Sequence, residues 1–254
     1  MCGIAGILDC NQSRDDTSNR NALKRMLAAM SHRGPDDQGE EKLASNKGSA
    51  FYLGHRRLSI IDLSSRGHQP MANDAKSVWI STNGELYNFQ ELRNELRHKY
   101  TFHSSTDTEV ILRAYEEWGV DCLGRFRGMF AFCIWDSVKQ ALFLARDHMG
   151  IKPLYYHSTP GALLFASEIR SITASGLLAT KIDPIGLYNY LSFGRSQSPQ
   201  TILAGIYNNG TWRVVMKRPL KTDEKDKDIQ FEEGKFIPIA FATWDGTNGE
   251  KGSK

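Results

Sequence analysis

The chain has 254 residues, of which 40% are hydrophobic and 24% charged, with a formal net charge of +3 at pH 7. This composition is ordinary for a soluble globular protein of one large or two small domains, and it excludes the disordered and fibrous classes. The scattered Lys and Arg residues argue against nucleic-acid binding, and no apolar run reaches the ~20 residues that a transmembrane helix needs.

The N-terminal part is predicted to begin with a buried strand and a helix. Residues 3–8 form a short apolar run, which is typical of a buried strand. The helix is predicted from four apolar residues that recur at helical spacing: Leu23, Met26, Leu27 and Met30. Asn19 is the expected N-cap and Gly34-Pro35 the expected stop signal, so residues 31–37 are expected at the helix exit and in a turn.

Strands and helices then follow in separate groups. Strands are predicted for Ala50–Leu53, Arg57–Ile61 and Ser77–Thr82. Two helices are predicted over residues 88–99 and 108–118, the second closed by Gly119. Four further strands are predicted for Met129–Asp136, Ala141–Arg146, Leu154–His157 and Leu163–Ala166, the first apolar on both faces and therefore covered on both sides. Grouped strands without regular βα alternation predict an α+β sandwich with antiparallel sheets.

Four cysteines stand far apart, without a C-x-x-C pair, which argues against zinc and disulfides: Cys2, Cys10, Cys122 and Cys133. Cys133 lies in an apolar run and is expected to be a small buried hydrophobe. Cys2 is different because of its position. If Met1 is removed, the thiol and a free α-amine of reference pKa about 7.7–8.0 belong to one residue. That residue then carries both a nucleophile and its base.

Seven motifs occur in an order that points to one protein family. They are CGIAGI (residues 2–7), HRGPDDQG (32–39), GHRRLSIID (54–62), NGELYN (83–88), STDTE (105–109), GMFAF (128–132) and RDHMGIKPLY (146–155). Together they resemble the class II glutamine amidotransferase domain of asparagine synthetases, over residues 1 to about 207. The resemblance implies an N-terminal nucleophile hydrolase fold, a four-layer αββα sandwich whose two antiparallel sheets pack face to face. The glutaminase domain is expected to occupy residues 1–182.

The resemblance also implies the residues that act on glutamine. A selective site needs oxyanion donors, a cation for the α-carboxylate and an anion for the α-ammonium. Cys2 is implied as the nucleophile, with Asn83 and Gly84 as the oxyanion pair. Arg57 is implied for the carboxylate, a role that suits a guanidinium. The remaining implied contacts to glutamine are Asp107 and Glu85 at its amino end and the backbone of Leu58, Ser59, Ile60 and Ile61.

Structural alternatives stay open for several of these residues. Arg57 has a neighbour, Arg56, that could take its place. Asn83-Gly84 is also a good turn sequence, and Asp107 is a candidate N-cap of the helix opening at Thr108. The side chains of residues 58–61 look like ordinary strand core. Two further pairs are read as structural turns, and four histidines are left out because the α-amine already supplies a base: Arg146-Asp147, Lys152-Pro153, His32, His55, His68 and His148.

The resemblance ends before the chain does. Residues 183–207 resemble the lead into a synthetase domain, but the Ser-Gly-Gly-x-Asp-Ser loop that would hold ATP is absent from the sequence. ATP and Mg would belong to that missing domain. Residues 208–254 form an unrelated β-rich tail that resembles, weakly, a haem b-binding subunit of ethylbenzene dehydrogenase-type enzymes; no haem ligands are assigned. The tail is not expected to be an independent domain, and a fused reading frame is the favoured explanation.

The predicted function is therefore the glutaminase half of an asparagine synthetase, which hydrolyses L-glutamine to L-glutamate and ammonia through a Cys2 thioester. No cofactor or metal is expected for this reaction. Expected partners are L-glutamine and a synthetase domain or subunit, with no nucleic acid or membrane, in the cytoplasm. The alternatives are an amidotransferase half for another acceptor, such as a sugar phosphate or phosphoribosyl pyrophosphate, a non-catalytic fragment or scaffold, and a haem-binding protein. The motif RGPDD at residues 33–37 favours the asparagine type.

Overall fold

A computed structural model describes residues 1–11, 13–44 and 49–179, together with the backbone of residues 204–208 and 211–215. The α-helices are α1 (Asp16–Ala29), α2 (Phe89–Leu96), α3 (Asp107–Trp118) and α4 (Ile169–Ala174). The strands are β1 (Gly3–Asp9), β2 (Asp37–Ala44), β3 (Ala50–Arg57), β4 (Met71–Ala72), β5 (Val78–Leu86), β6 (Gly128–Asp136), β7 (Ala141–Arg146), β8 (Tyr155–Thr159), β9 (Ala162–Ala166), β10 (Ala204–Asn208) and β11 (Thr211–Val215). None of the helices in this part of the chain is long and apolar enough to cross a membrane.

The strands form two antiparallel sheets. The first sheet has the order β2-β3-β1-β9-β8 and the second sheet has the order β11-β10-β7-β6-β5-β4. Every pairing in both sheets is antiparallel. Three apolar clusters then define four layers. One cluster lies between the sheets, a second packs α2 and α3 on the second sheet, and a third packs α1 and α4 on the first. The predicted αββα sandwich is confirmed.

Strand β6 shows why the sandwich forms. Its odd-numbered residues Ala131, Cys133 and Trp135 pack into the cluster between the sheets. Its even-numbered residues Phe130, Phe132 and Ile134 pack against the helices on the other face. Side chains alternate along a strand with a period of two, so a strand that is apolar on both faces requires a layer on each side. The prediction for β6 is confirmed, as is the fully buried position of Cys133.

The ends of the first helix differ from the prediction. Its N-cap is Asp15, whose carboxylate accepts a hydrogen bond from the Ser18 N–H at 2.7 Å. Asn19 is instead buried inside the helix, where its Nδ2 donates to Asp9 at 3.0 Å. The helix also ends at Ala29, before the predicted stop. Asp caps a helix as well as Asn does, so residue type alone did not distinguish Asp15 from Asn19.

One strand predicted next to the first sheet does not form, and one strand of that sheet was not predicted. The predicted strand Arg57–Ile61 does not form, because β3 ends at Arg57 and a loop follows. The side chains of this loop are not core, since Ile60 is 70% exposed and Ile61 37% exposed. Strand β2 was not predicted at all. It lies at the edge of the first sheet, where charged residues are common and the alternating apolar pattern is weak.

The predicted division of the chain after residue 182 falls mostly outside the described residues. The exceptions are β10 and β11. Strand β10 spans the predicted boundary between residues 207 and 208 and pairs with β7 through Gly205 opposite Leu144 and Ile206 opposite Phe143. Strand β11 pairs with β10 at the outer edge of the second sheet. The lead at 183–207 and the tail at 208–254 stay predictions.

Candidate active site

A cleft of about 180 Å³ lies where the two sheets meet the loop after β3 and the start of α3. Nine of the ten residues predicted from the sequence line it: Cys2, Arg57, Leu58, Ile60, Ile61, Asn83, Gly84, Glu85 and Asp107. The exception is Ser59, whose backbone N–H donates to the Asp36 carboxylate at 2.7 Å. The fold brings these residues together because Cys2 immediately precedes β1, which pairs with β3, and Arg57 is the last residue of β3.

The Cys2 thiol is half-buried and held by the loop after β3. The Leu58 N–H donates to Sγ at 3.4 Å, and Sγ lies 3.6 Å from the Leu58 carbonyl oxygen. The Cys2 carbonyl oxygen accepts a hydrogen bond from Arg33 Nε at 2.8 Å, which fixes the backbone of the residue. Burial raises the pKa of the Cys2 thiol, although the Leu58 N–H, the N-terminal charge and Arg57 act in the opposite direction. The thiol therefore needs a base to become a nucleophile.

Asn83 and Gly84 lie inside strand β5, so the turn interpretation of this pair is wrong. Asn83 stands opposite Ala131 and Gly84 opposite Phe130 in the pairing with β6. Asn83 is 1% exposed, and its Nδ2 has no hydrogen-bond partner among the described residues. A side chain at position 84 would lie 2.6 Å from the Phe130 Cα, so only glycine fits there. A buried amide donor without a partner beside a thiol is suited to an oxyanion.

Arg57, and not Arg56, presents its guanidinium to the cleft. Adjacent residues of a strand point to opposite faces. Arg56 turns away and donates to Gln38 Oε1 at 2.6 Å. Arg57 is buried, donates from Nη1 to the Ser64 carbonyl at 3.0 Å and from Nη2 to the Asp62 carbonyl. These carbonyls orient the guanidinium but do not neutralise it, which leaves its charge available to an anionic group.

Asp107 provides a buried carboxylate, whose charge is opposite to that of Arg57. Its Oδ2 accepts a hydrogen bond from the Leu86 N–H at 2.8 Å. Burial raises the pKa of Asp107, while the N–H groups of Leu86 and Thr108 lower it. The N-cap of α3 is Thr106, whose side chain accepts from the Glu109 N–H at 3.2 Å, so the N-cap alternative for Asp107 is wrong by one residue. Asp107 is the first helical residue, where the positive end of the helix favours a carboxylate.

The cleft also contains residues that sequence reasoning missed. Asp62 accepts from the Ser64 N–H at 2.9 Å and from the Ser105 N–H at 3.0 Å, which joins the loop after β3 to the segment before α3. Gln69 accepts from the Thr82 N–H at 2.7 Å and so supports β5 beside Asn83. Asp62 and Ser105 both occur in the family motifs quoted above, but a motif does not show which of its members meet in space.

The two predicted structural turns have different outcomes. Asp147 accepts four backbone hydrogen bonds, from Phe130, Met149, Ile151 and Lys152, and acts as a structural anchor as predicted. Lys152, however, lines the cleft together with Cys2, so its position does not limit it to a structural role. The spacing of the motif gave no signal for this position.

The histidines do not contribute to the cleft. None of them is among its lining residues. His55 is fully buried, with Nδ1 2.9 Å from Ser81 Oγ, and burial lowers its pKa to about 3. Within the described residues, no group of three or more His, Cys, Asp and Glu side chains is arranged to hold a metal ion. Among the residues that line the cleft, Cys2 carries a thiol.

Known proteins are similar to this chain in sequence or in fold. Residues 1–224 match the family described as "Glutamine amidotransferase domain". Glutamine-hydrolyzing asparagine synthetase 3 of Bacillus subtilis is 38% identical over 213 residues, which cover 81% of this chain and 33% of that protein. Glutamine-hydrolyzing asparagine synthetase 2 of the same bacterium is 44% identical over 172 residues, which cover 68% of this chain and 22% of that protein. The chain thus spans about a third or less of the length of these relatives.

A solved structure supports the fold. Glutamine phosphoribosylpyrophosphate amidotransferase from Bacillus subtilis superposes with a TM-score of 0.56 and 21% sequence identity. The match covers 69% of this chain and 44% of that one. At this level of identity the likeness concerns the fold alone.

Proposed function

The chain belongs to the glutamine amidotransferase domain family, and on that premise we propose that its cleft hydrolyses L-glutamine to L-glutamate and ammonia through a Cys2 thioester. It is a class II glutamine amidotransferase domain homologous to the glutaminase half of asparagine synthetases. One observation carries the proposal. A half-buried thiol, a buried amide donor without a partner, a cation and an anion line a single cleft, as a site for glutamine requires.

Recognition uses the two opposite charges, Arg57 and Asp107, that line the cleft. Glutamine is a zwitterion at neutral pH, with an α-carboxylate and an α-ammonium on one carbon. The Arg57 guanidinium, held by two backbone carbonyls, binds the carboxylate. Asp107 binds the ammonium, with Glu85 beside it. The side-chain amide is thereby directed towards Cys2 and Asn83.

The chemistry begins with removal of Met1, which frees the α-amine of Cys2. That amine takes the thiol proton, and the thiolate attacks the amide carbon. The oxygen of the tetrahedral intermediate accepts hydrogen bonds from Asn83 Nδ2 and the Gly84 N–H. The α-ammonium then gives its proton to the departing nitrogen, so that ammonia leaves and a thioester remains. Water, deprotonated by the same amine, cleaves the thioester and releases glutamate.

The fate of the ammonia is the second part of the proposal. Since the chain spans 33% and 22% of the two Bacillus relatives, asparagine synthesis would belong to a longer protein or to a separate synthetase subunit. We propose that ammonia passes to such a partner, which would bind ATP and Mg, while the glutaminase reaction uses only the side chains, backbone N–H groups and α-amine of this domain. The sequence identity to asparagine synthetases favours this acceptor over a phosphoribosyl one. The four free cysteines favour a reducing compartment such as the cytoplasm.

Mass spectrometry tests the proposal directly. The intact mass shows whether Met1 is removed, and the diazoketone analogue of glutamine, diazo-oxo-norleucine, should label Cys2 alone. Cys10 is exposed and free, so it serves as the internal control for nonspecific labelling. Active protein that retains Met1, or label on Cys10 in place of Cys2, would refute the mechanism.

A further inference from the structure

Lys152 presents a buried ammonium group to the N-terminus. The residue is 6% exposed and lines the cleft with Cys2. Its Nζ lies 3.3 Å from the Sδ of Met1. Within the described part of the chain, no carboxylate lies within 4.0 Å of Nζ, whereas Arg33, a buried cation that donates to the Cys2 carbonyl, is paired with Glu168 at 3.1 Å. Burying an ammonium group without a counter-ion lowers the stability of the fold, so we expect a lysine in this position to have a function.

The backbone that carries Lys152 is held firmly. Asp147 is buried and accepts the N–H of Lys152 at 3.0 Å and that of Ile151 at 2.9 Å. The same carboxylate accepts the N–H of Phe130 in β6 at 3.1 Å, which ties this turn to the second sheet. The turn therefore fixes the backbone from which the Lys152 side chain reaches the N-terminus.

The other charged groups around Cys2 already have partners or assigned roles. They are Arg33, Arg57, Asp62, Glu85 and Asp107. Arg33 is neutralised by Glu168, and the carboxylate of Asp62 accepts hydrogen bonds from Ser64 and Ser105. Under the proposed function, the remaining three bind the carboxylate and ammonium of glutamine. Since both charged groups of glutamine are assigned to these three residues, the charge of Lys152 is left to act on the reacting groups.

We propose that Lys152 is the positive charge that keeps the α-amine of Cys2 unprotonated once Met1 is removed, so that the amine can accept the thiol proton at neutral pH. The proposal rests on the function proposed above. Five bonds separate the Met1 Sδ from the Cys2 nitrogen, which limits the distance between Nζ and that nitrogen to about 10 Å. When the Met1 side chain leaves, the flexible lysine can approach more closely. A cation disfavours a second cation nearby, and a base works best when it is free at the operating pH.

The test measures the α-amine itself. In a Cys2→Ala protein with Met1 removed, the pH dependence of α-amine acylation is read by mass spectrometry of the N-terminal peptide. Replacing Lys152 with Met or Gln in this background should raise the titration midpoint of the amine by about one unit. Lys152→Arg should leave it nearly unchanged. Lys139→Met, which removes an exposed lysine paired with Asp136, controls for the loss of one charge elsewhere.

Activity supplies the second measurement. With Cys2 intact, the acidic limb of the kcat/KM profile for glutamine should move to higher pH in Lys152→Met and Lys152→Gln, and should stay in place in Lys152→Arg. An unchanged amine titration in both neutral variants overturns the proposal. A lower kcat without any shift of the acidic limb also overturns it, because Lys152 would then act on the substrate. A shifted amine in protein that never hydrolyses glutamine would support the inference about Lys152 while refuting the proposed function.

Discussion

Gly67→Ala tests the position of Arg57 without changing Arg57. Gly67 belongs to a short 3₁₀ helix, Ser65–Gly67, that lies against the guanidinium. A Cβ at this position would overlap Nη2 of Arg57 and lie 2.6 Å from its Cζ. The atoms that must move are the far end of a flexible side chain, so we expect Arg57 to leave its place while the backbone stays. Gly124→Ala is the matched control, because a Cβ there meets nothing within 4 Å.

The expected size of the effect follows from the contacts that are lost. A charge-assisted hydrogen bond contributes about 1.5–3 kcal/mol, so losing the bond to the glutamine carboxylate should raise KM roughly 10- to 100-fold. Two hydrogen bonds from the same guanidinium to backbone carbonyls are lost as well, which by the same figure lowers the free energy of unfolding by about 3–6 kcal/mol, against a stability of about 5–15 kcal/mol for a folded domain. Ammonia release at varied glutamine concentration and a thermal melt measure both quantities. A folded Gly67→Ala protein with unchanged KM would refute the assignment of Arg57.

Four other predictions concern the site and the tail. Cys2→Ala should abolish ammonia release while calorimetry still detects glutamine binding. The control Cys10→Ala should change neither ammonia release nor binding. Ammonia release by Cys2→Ala would show that the nucleophile is another residue. Arg57→Lys and Asp107→Asn should raise KM more than they lower kcat, because both contacts are equal in the ground and transition states; an unchanged KM would contradict them. Burial raises the pKa of Asp107, so this carboxylate should become protonated, and glutamine affinity should fall, at pH values still above ~3.9, the ordinary pKa of an Asp side chain. A binding titration should show this pH dependence in the unmodified protein and its loss in Asp107→Asn. Deleting residues 208–254 should preserve both the thermal transition and glutaminase activity, and loss of both would show that the tail completes the sandwich.

The regular core could be predicted because its residues carry a periodic signal. Strand β6 and helix α3 were located within one residue of their observed bounds, since each buries an apolar pattern of the right period. The edge strand β2 has one exposed side and no such pattern, so it was missed. The prediction of a strand in the loop after β3 was wrong for the opposite reason. Ile60 and Ile61 are apolar but line the cleft and remain partly exposed, and a rule that places apolar residues in the core misassigns them.

The site residues were predicted from motifs, but their mutual support is visible only in three dimensions. Asp62 joins the Arg57 side of the cleft to the Asp107 side: its carbonyl oxygen accepts from Arg57 and its carboxylate accepts from Ser105, two residues before Asp107. The groups that we propose bind the carboxylate and the ammonium of glutamine are therefore held by one residue, through its backbone carbonyl and its side chain. Because Asp62 contacts both sides of the cleft, it links Arg57 and the segment before Asp107, so a site built partly on a loop can still hold two opposite charges at a fixed separation. Four hydrogen bonds to the Asp62 carboxylate, from Ser64 and Ser105, keep its pKa well below the usual range, so this support persists at any pH at which the thiol chemistry operates.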